Sequence, residues 1–160
     1  MKITDIISNK NIYLNFSSIS KKALFKTIAE KVSSQTKVNQ NEVLEKLNYR
    51  EKLGSTNLGD GIAIPHAKID GIENIFSLFI RLENSIDFST TDTKGVDLIF
   101  VIIAPEESKT EHLLALSTIS KFLRIKNNVN KLRKLKSNEA IFNLFSKAGA
   151  EVFFVNKNFS

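Results

Sequence analysis

Two histidines, one arginine and a hydroxyl- and glycine-bearing loop hold most of the chemistry this chain can offer. The stretch from Arg50 to Lys68 reads REKLGSTNLGDGIAIPHAK. Arg50 is a fixed cation. Ser55 and Thr56 supply hydroxyls, and Gly59 and Gly61 permit backbone conformations and close approaches that side chains would block. Ile62 to Ile64 is apolar and strand-like, and Pro65 then presents His66. The second histidine, His112, follows Ser108 and Glu111 at the start of a helical pattern. Backbone N–H groups and hydroxyls converging in the 55–61 loop, with Arg50 nearby, form a cradle for an anion. A neutral imidazole beside that cradle can act as a nucleophile towards phosphorus or as a general base. The spacing matches neither a Walker loop, since no G-K-[ST] follows, nor a dinucleotide fingerprint, since no strand immediately precedes the glycines.

Each of these residues also has a purely structural reading. An arginine near a helix C-terminus is favoured by the helix dipole. A glycine-rich segment is often only a connection into a strand. A histidine in the first turn of a helix can be an ordinary surface residue. What favours a site is the occurrence of Arg50 and His66 beside the glycine-rich loop in one segment.

Placing these groups requires several elements. Ile12 to Phe16 alternates apolar and polar residues and predicts a short strand. Ser20 predicts an N-cap for a helix over 21–32, with Ala23, Leu24, Ile28 and Val32 inward. Asn39 or Asn41 caps a second helix ending near Leu53, with Val43, Leu44 and Leu47 inside and Arg50 at its C-terminal end. Residues 55–61 read as a loop. Ile75 to Leu82 predicts a strand, and 83–94 a polar connection. Val96 to Ala104, bounded by Gly95 and Pro105, predicts a central strand buried on both faces. Ser108 and Glu111 match a capping box and place His112 in the first turn of a long helix, with Leu113, Leu116, Ile119 (or Ser120) and Leu123 as its stripe. Two helices follow, over 126–136 and 137–148, the second capped by Ser137 and ended by Gly149. Residues 151–155 (EVFFV) read as a last edge strand or a sticky tail. In the latter case Phe153, Phe154 and Phe159 would dock on a partner or a second copy, giving a homodimer.

The signature from Arg50 to Lys68 resembles the active-site segment of phosphotransferase-system enzyme IIA domains of the mannitol/fructose class. Within that class the stand-alone nitrogen-regulatory enzyme IIA is the nearest likeness. The resemblance covers nearly the whole chain. It departs at Asn57, where the family commonly has glycine after Ser-Thr. Asn tolerates a left-handed conformation better than most residues, so the loop's shape is expected to survive. The resemblance implies a single domain over 1–160, an α/β fold with a mixed β-sheet flanked by helices on both faces. It implies that His66 accepts a phosphoryl group on Nε2 from a histidine-containing phosphocarrier protein, with Nδ1 held by an acceptor, expected to be a backbone carbonyl. Arg50 and His112 would assist, and Ser55, Thr56, Gly59 and Gly61 would bind phosphate. It implies no metal and no cofactor. The absence of fused transporter modules favours a nitrogen-type regulator with separate target proteins. The alternative is a sugar-specific enzyme IIA that passes the phosphoryl group to a separate enzyme IIB.

Composition bounds the remaining choices. The 160 residues are 42% hydrophobic and 25% charged, which suits one globular domain. No run is apolar enough for a membrane span, and MKITDIISNKNIY lacks a signal-peptide pattern, so a cytoplasmic protein is expected. The absence of cysteine rules out disulfides, thiolate catalysis and an internal cysteine-phosphorylated module. Two histidines without HxH or HExxH spacing make a poor zinc set. The net charge of +6 is concentrated between Lys121 and Lys136. A solvated basic face is the expected reading, with a nucleic-acid-binding module as the rival from another class. A metal-free hydrolase with a histidine base is a third reading, but no G-x-S-x-G elbow appears.

Overall fold

The computed structural model describes residues 1–88 and 95–158, with side chains described as far as residue 148. Its elements are β1 (Ile12–Phe16), α1 (Lys21–Thr36), α2 (Gln40–Leu53), β2 (Asn57–Gly59), β3 (Ile62–Ala63), β4 (His66–Ile69), β5 (Phe76–Ile86), β6 (Val96–Pro105), α3 (Thr110–Leu123), α4 (Lys126–Lys134) and α5 (Asn138–Asn158). Two short 3₁₀ turns, Ile3–Asp5 and Asn9–Asn11, precede β1.

The strands form one mixed sheet in the order β1-β5-β6-β3-β2, with β4 also paired to β6. β6 lies antiparallel to β5 and parallel to β3 and β4. Its sequence is almost wholly apolar because both of its faces are covered, and Leu98 to Ala104 are all 1% exposed or less. One face packs Leu24, Phe25 and Ile28 of α1 and Val43 and Leu47 of α2 against Leu78, Ile80, Val101 and Ile103. The other packs α3, α4 and α5 against Phe79, Phe100 and Ile102. Phe145 lies at the centre of that layer, with ring centroids 5.4–5.8 Å from Phe79, Phe100 and Phe122. Aromatic pairs at such separations add to plain area burial. The expected architecture, a mixed sheet flanked by helices on both faces, is the one found. No described helix is long and apolar enough to cross a membrane.

The expected caps at Ser20, Asn39 and Ser137 form, each side chain accepting from backbone N–H groups of its helix. Several boundaries differ from expectation. α1 runs on to Thr36. β5 continues through Glu83–Ile86, where a loop was expected, because Ile86 returns to pair with Val96 across an irregular register. The rest of that expected connection, 89–94, lies outside the described residues. Gly149 does not end α5, and residues 151–155 are helical rather than an edge strand. A helix satisfies its own backbone groups, whereas a strand needs a partner edge. A single internal glycine costs only about 1 kcal/mol. Phe159 lies outside the described residues.

Candidate functional site

β3 and β4 occupy the same side of β6 in succession, Ile62–Ala63 opposite Leu98–Ile99 and His66–Ile69 opposite Ile102–Pro105. They read as one strand interrupted at Ile64-Pro65. Proline has no N–H to donate to a ladder, so the pairing breaks there. Ile64 N–H turns aside to donate to the Thr56 carbonyl at 3.0 Å. The Ile64 carbonyl lies 2.7 Å from His66 Nδ1. A carbonyl can only accept, so Nδ1 carries the ring proton and Nε2 keeps its lone pair. The expected backbone acceptor for the second ring nitrogen is therefore present.

α2 delivers Arg50 from the other side. Its Nε donates to His66 Nε2 at 3.1 Å, and its Nη1 donates to the Gly54 carbonyl at 2.8 Å. The second bond fixes the guanidinium plane, so one cation faces the one imidazole nitrogen with a free lone pair. Burial lowers the His66 pKa, and the Arg50 charge acts in the same direction. The Ile64 carbonyl and Glu51 oppose them.

His112 enters from α3, with its ring centroid 5.6 Å from that of His66. Its burial corrects the expected helix stripe. The inward positions are His112, Ala115, Ile119, Phe122 and Leu123, while Leu113 is 65% exposed. Ser108 does cap this region, but its hydroxyl accepts from His112 N–H at 3.1 Å rather than from Glu111. His112 is only 9% exposed, and its Nδ1 is buried with no partner among the described residues. Its pKa is lowered to about 4, first by burial and then by the positive charge of His66, Lys68 and Arg50. It is therefore neutral at pH 7. A buried lone pair is less costly to leave unpaired than a buried N–H, which favours the proton on Nε2.

The 55–61 segment is more structured than a loop. Asn57–Gly59 is β2, paired antiparallel to β3. Ser55 is exposed and its hydroxyl accepts from Asn57 N–H. Thr56 is 5% exposed and its hydroxyl donates to Glu51. Glu51 also takes Lys21 Nζ at 2.9 Å and Thr56 N–H at 3.4 Å. Glu51 is the residue that sequence reading passed over. Its adjacency to Arg50 was the available signal, but only the fold reveals its hold on Thr56. Asn57 is not among the residues with positive φ. No left-handed conformation is needed there, and its side chain accepts from Gly59 N–H at 2.8 Å instead. Gly59 and Gly61, with φ of 88° and 79°, form the β2–β3 turn and line a cleft with Asp97 and Arg133.

Arg50, His66 and His112 thus converge on one point. Among the described residues, no group of three or more His, Cys, Asp or Glu side chains could hold a metal ion. Comparison with known proteins gives this constellation a context. Residues 5–148 match the family model described as phosphoenolpyruvate-dependent sugar phosphotransferase system, EIIA 2. The chain belongs to this enzyme IIA family. It is 40% identical over 146 residues to the nitrogen regulatory protein of Bradyrhizobium diazoefficiens, covering 91% of this chain and 95% of that one. A nitrogen regulatory protein homolog of Haemophilus influenzae is 39% identical over 149 residues, covering 91% of each. The crystal structure of nitrogen regulatory protein IIA-Ntr from Neisseria meningitidis superposes with a TM-score of 0.84 at 34% identity, covering 89% of this chain and 98% of that one. Mannitol IIA from Escherichia coli, at 21% identity and a TM-score of 0.74, shares the fold. This enzyme IIA is a phosphotransferase-system phosphocarrier homologous to the nitrogen-regulatory proteins.

Proposed function

We propose that His66 is the phosphoryl acceptor, and that its state of phosphorylation sets which target proteins this enzyme IIA binds. The observation that carries this reading is the His66 ring itself. Nδ1 is tied to the Ile64 carbonyl, and Nε2 holds its lone pair towards Arg50. In the reaction, the Nε2 lone pair attacks the phosphorus of a phosphohistidine on the donor. The donor's N–P bond breaks, and its electron pair returns to the donor imidazole. The proton stays on His66 Nδ1, donated to the Ile64 carbonyl, throughout. Arg50 shifts from Nε2 to the incoming phosphoryl oxygens, which its planar fork suits. His112, neutral, donates from Nε2–H to another oxygen. The exposed Ser55 hydroxyl and the backbone beside it complete the cradle, while Thr56, committed to Glu51, shapes it. Catalysis is then mostly positioning and charge stabilisation.

The donor is a histidine-containing phosphocarrier of the HPr type. Exposed apolar side chains beside the site favour such docking. Tyr49 and Leu53 flank Arg50, Leu58 follows the cradle, and Leu113 and Leu114 follow His112, all 44–68% exposed. A phosphoryl group of about two negative charges placed among them would change which surfaces can dock. The nitrogen-regulatory relatives, which match this chain nearly end to end, favour regulation over sugar transport.

The test is phosphoryl transfer in vitro, with phosphoenolpyruvate, enzyme I and a cognate phosphocarrier, read by intact mass and acid lability. Wild type should gain one acid-labile phosphoryl group. His66→Ala should gain none, and Arg50→Ala should gain it about 10²-fold or more slowly, as for loss of one charge-stabilising donor. Undiminished labelling of His66→Ala would refute the assignment.

A further inference from the structure

The molecule has a second concave feature, at the end of the sheet away from His66. A cleft of about 740 Å³ lies between the β2–β3 turn, the start of β6 at Gly95 and Asp97, and the corner joining α3 to α4. Asp97 is five residues along β6 from Ile102, the residue opposite His66, or roughly 16 Å at about 3.3 Å per residue. A partner in the cleft therefore need not cover His66.

One wall of the cleft is cationic. No carboxylate occurs between Glu111 and Glu139, while seven Lys and Arg side chains do. Arg124, Lys126 and Arg133 of this group line the cleft. Arg124 and Lys126 are exposed and form no ion pair among the described residues. Arg133 is fixed in place. It donates to Asp97 through Nε at 3.0 Å and Nη2 at 2.8 Å, and to the Asp60 carbonyl. A Cβ at Gly61 would stand 2.6 Å from Arg133 Nη2, so a side chain there would push the Arg133–Asp97 pair aside. The floor is apolar, formed by Ile62, Leu123 and Val129, all buried. On the opposite wall Asp60 is exposed.

We infer that this cleft is a second docking site, taking an acidic protein segment that carries an apolar side chain. The apolar side chain rests on the Ile62–Leu123–Val129 floor, and the segment's carboxylates meet Arg124 and Lys126. The asymmetry of the walls selects this occupant over a nucleic acid. A polyphosphate backbone presents uniform charge and would meet Asp60, and among the described residues no aromatic side chain lines the cleft to stack a base. Surface charges of this kind govern specificity and association rate. The turn that forms one wall leads through β2 to Ser55 and Thr56, so an occupant touches the same hairpin that shapes the cradle. The site itself does not depend on the chemistry at His66.

The test is a titration of the ¹⁵N-labelled full chain, followed by amide shifts. The probe is a synthetic acetylated decapeptide of Asp and Glu around a single leucine. Controls are the same peptide with glycine for leucine, and a short DNA duplex. Saturable shifts are expected at Gly59–Ile62, Asp97 and Asn130. Affinity should fall about tenfold or more with Arg124→Glu/Lys126→Glu, two exposed positions whose reversal leaves the core intact. It should also fall without the leucine, and be unchanged in His66→Ala. Absence of saturable shifts would overturn the inference. So would shifts undiminished in the double variant, or tighter binding of the DNA duplex to the same residues.

Discussion

The burial of His112 makes the fold's stability depend on pH in a way that can be worked out and checked. Its folded pKa is about 4 against an ordinary 6.5. The unfolded chain therefore takes up a proton near pH 6.5, and the folded chain only near pH 4. Between those values the unfolded state holds more protons, so stability falls as pH drops through this window and levels off below it. The full difference is about 3 kcal/mol, from about 1.36 kcal/mol for each unit separating the two values. By pH 5 about 2 kcal/mol of it is already lost. The assay is urea denaturation of wild type and His112→Gln at pH 7.5, 6 and 5. The variant will differ in absolute stability, but the slope with pH decides the matter. Wild type should lose about 2 kcal/mol more than the variant between pH 7.5 and 5. Carboxylates and His66 titrate in both proteins and cancel to first order. Parallel curves would refute the reasoning, because His112 would then titrate as an ordinary histidine and its environment would not be apolar.

Two further outcomes test the supports of the site. Glu51→Gln should lower stability by about 1–3 kcal/mol, less than a fully buried pair because Lys21 is 27% exposed. It should also slow phosphoryl transfer while leaving the His66 ring's bond to Ile64 unchanged, seen as an unaltered Nδ1–H signal in ¹⁵N NMR. Gly61→Ala should cost about 1–3 kcal/mol from its left-handed backbone alone. More should follow from the approach of a Cβ to Arg133 and Asp97 at 2.6 and 2.7 Å, read as a lower denaturation midpoint.

Much of the site was legible because its signals are local. Pro65 before His66 predicts a break in a strand, and the break is what leaves the Ile64 carbonyl for Nδ1. A helix ending near Leu53 places Arg50 at its tip. What failed to show were relations across the chain. Leu113 scans as the start of an apolar stripe, yet α3 turns His112 and Ala115 inward. Both registers satisfy a helical period, and contact with the His66 end of the sheet chooses between them. The glycines at 59 and 61 read as a loop beside Ser55, and the fold makes them a β-turn in which Gly61 lies against Asp97 of β6 and Arg133 of α4. Residues 151–155 have strand-like composition, but a segment this short takes its structure from what precedes it, and α5 runs straight through.

By itself, then, the sequence determined the residue types, the breaks and caps that begin and end most elements, and the family signature from Arg50 to Lys68. These depend on backbone sterics and on neighbours within a few residues. The tertiary structure alone decided that Glu51 grips Thr56 and Lys21, that His112 is buried and held neutral, and that Arg133 closes a cleft far from His66. Those outcomes depend on desolvation and on distances between groups up to 73 residues apart, such as the Asp60 carbonyl and the Arg133 side chain. No local pattern carries such distances, because they exist only once both faces of the sheet are packed.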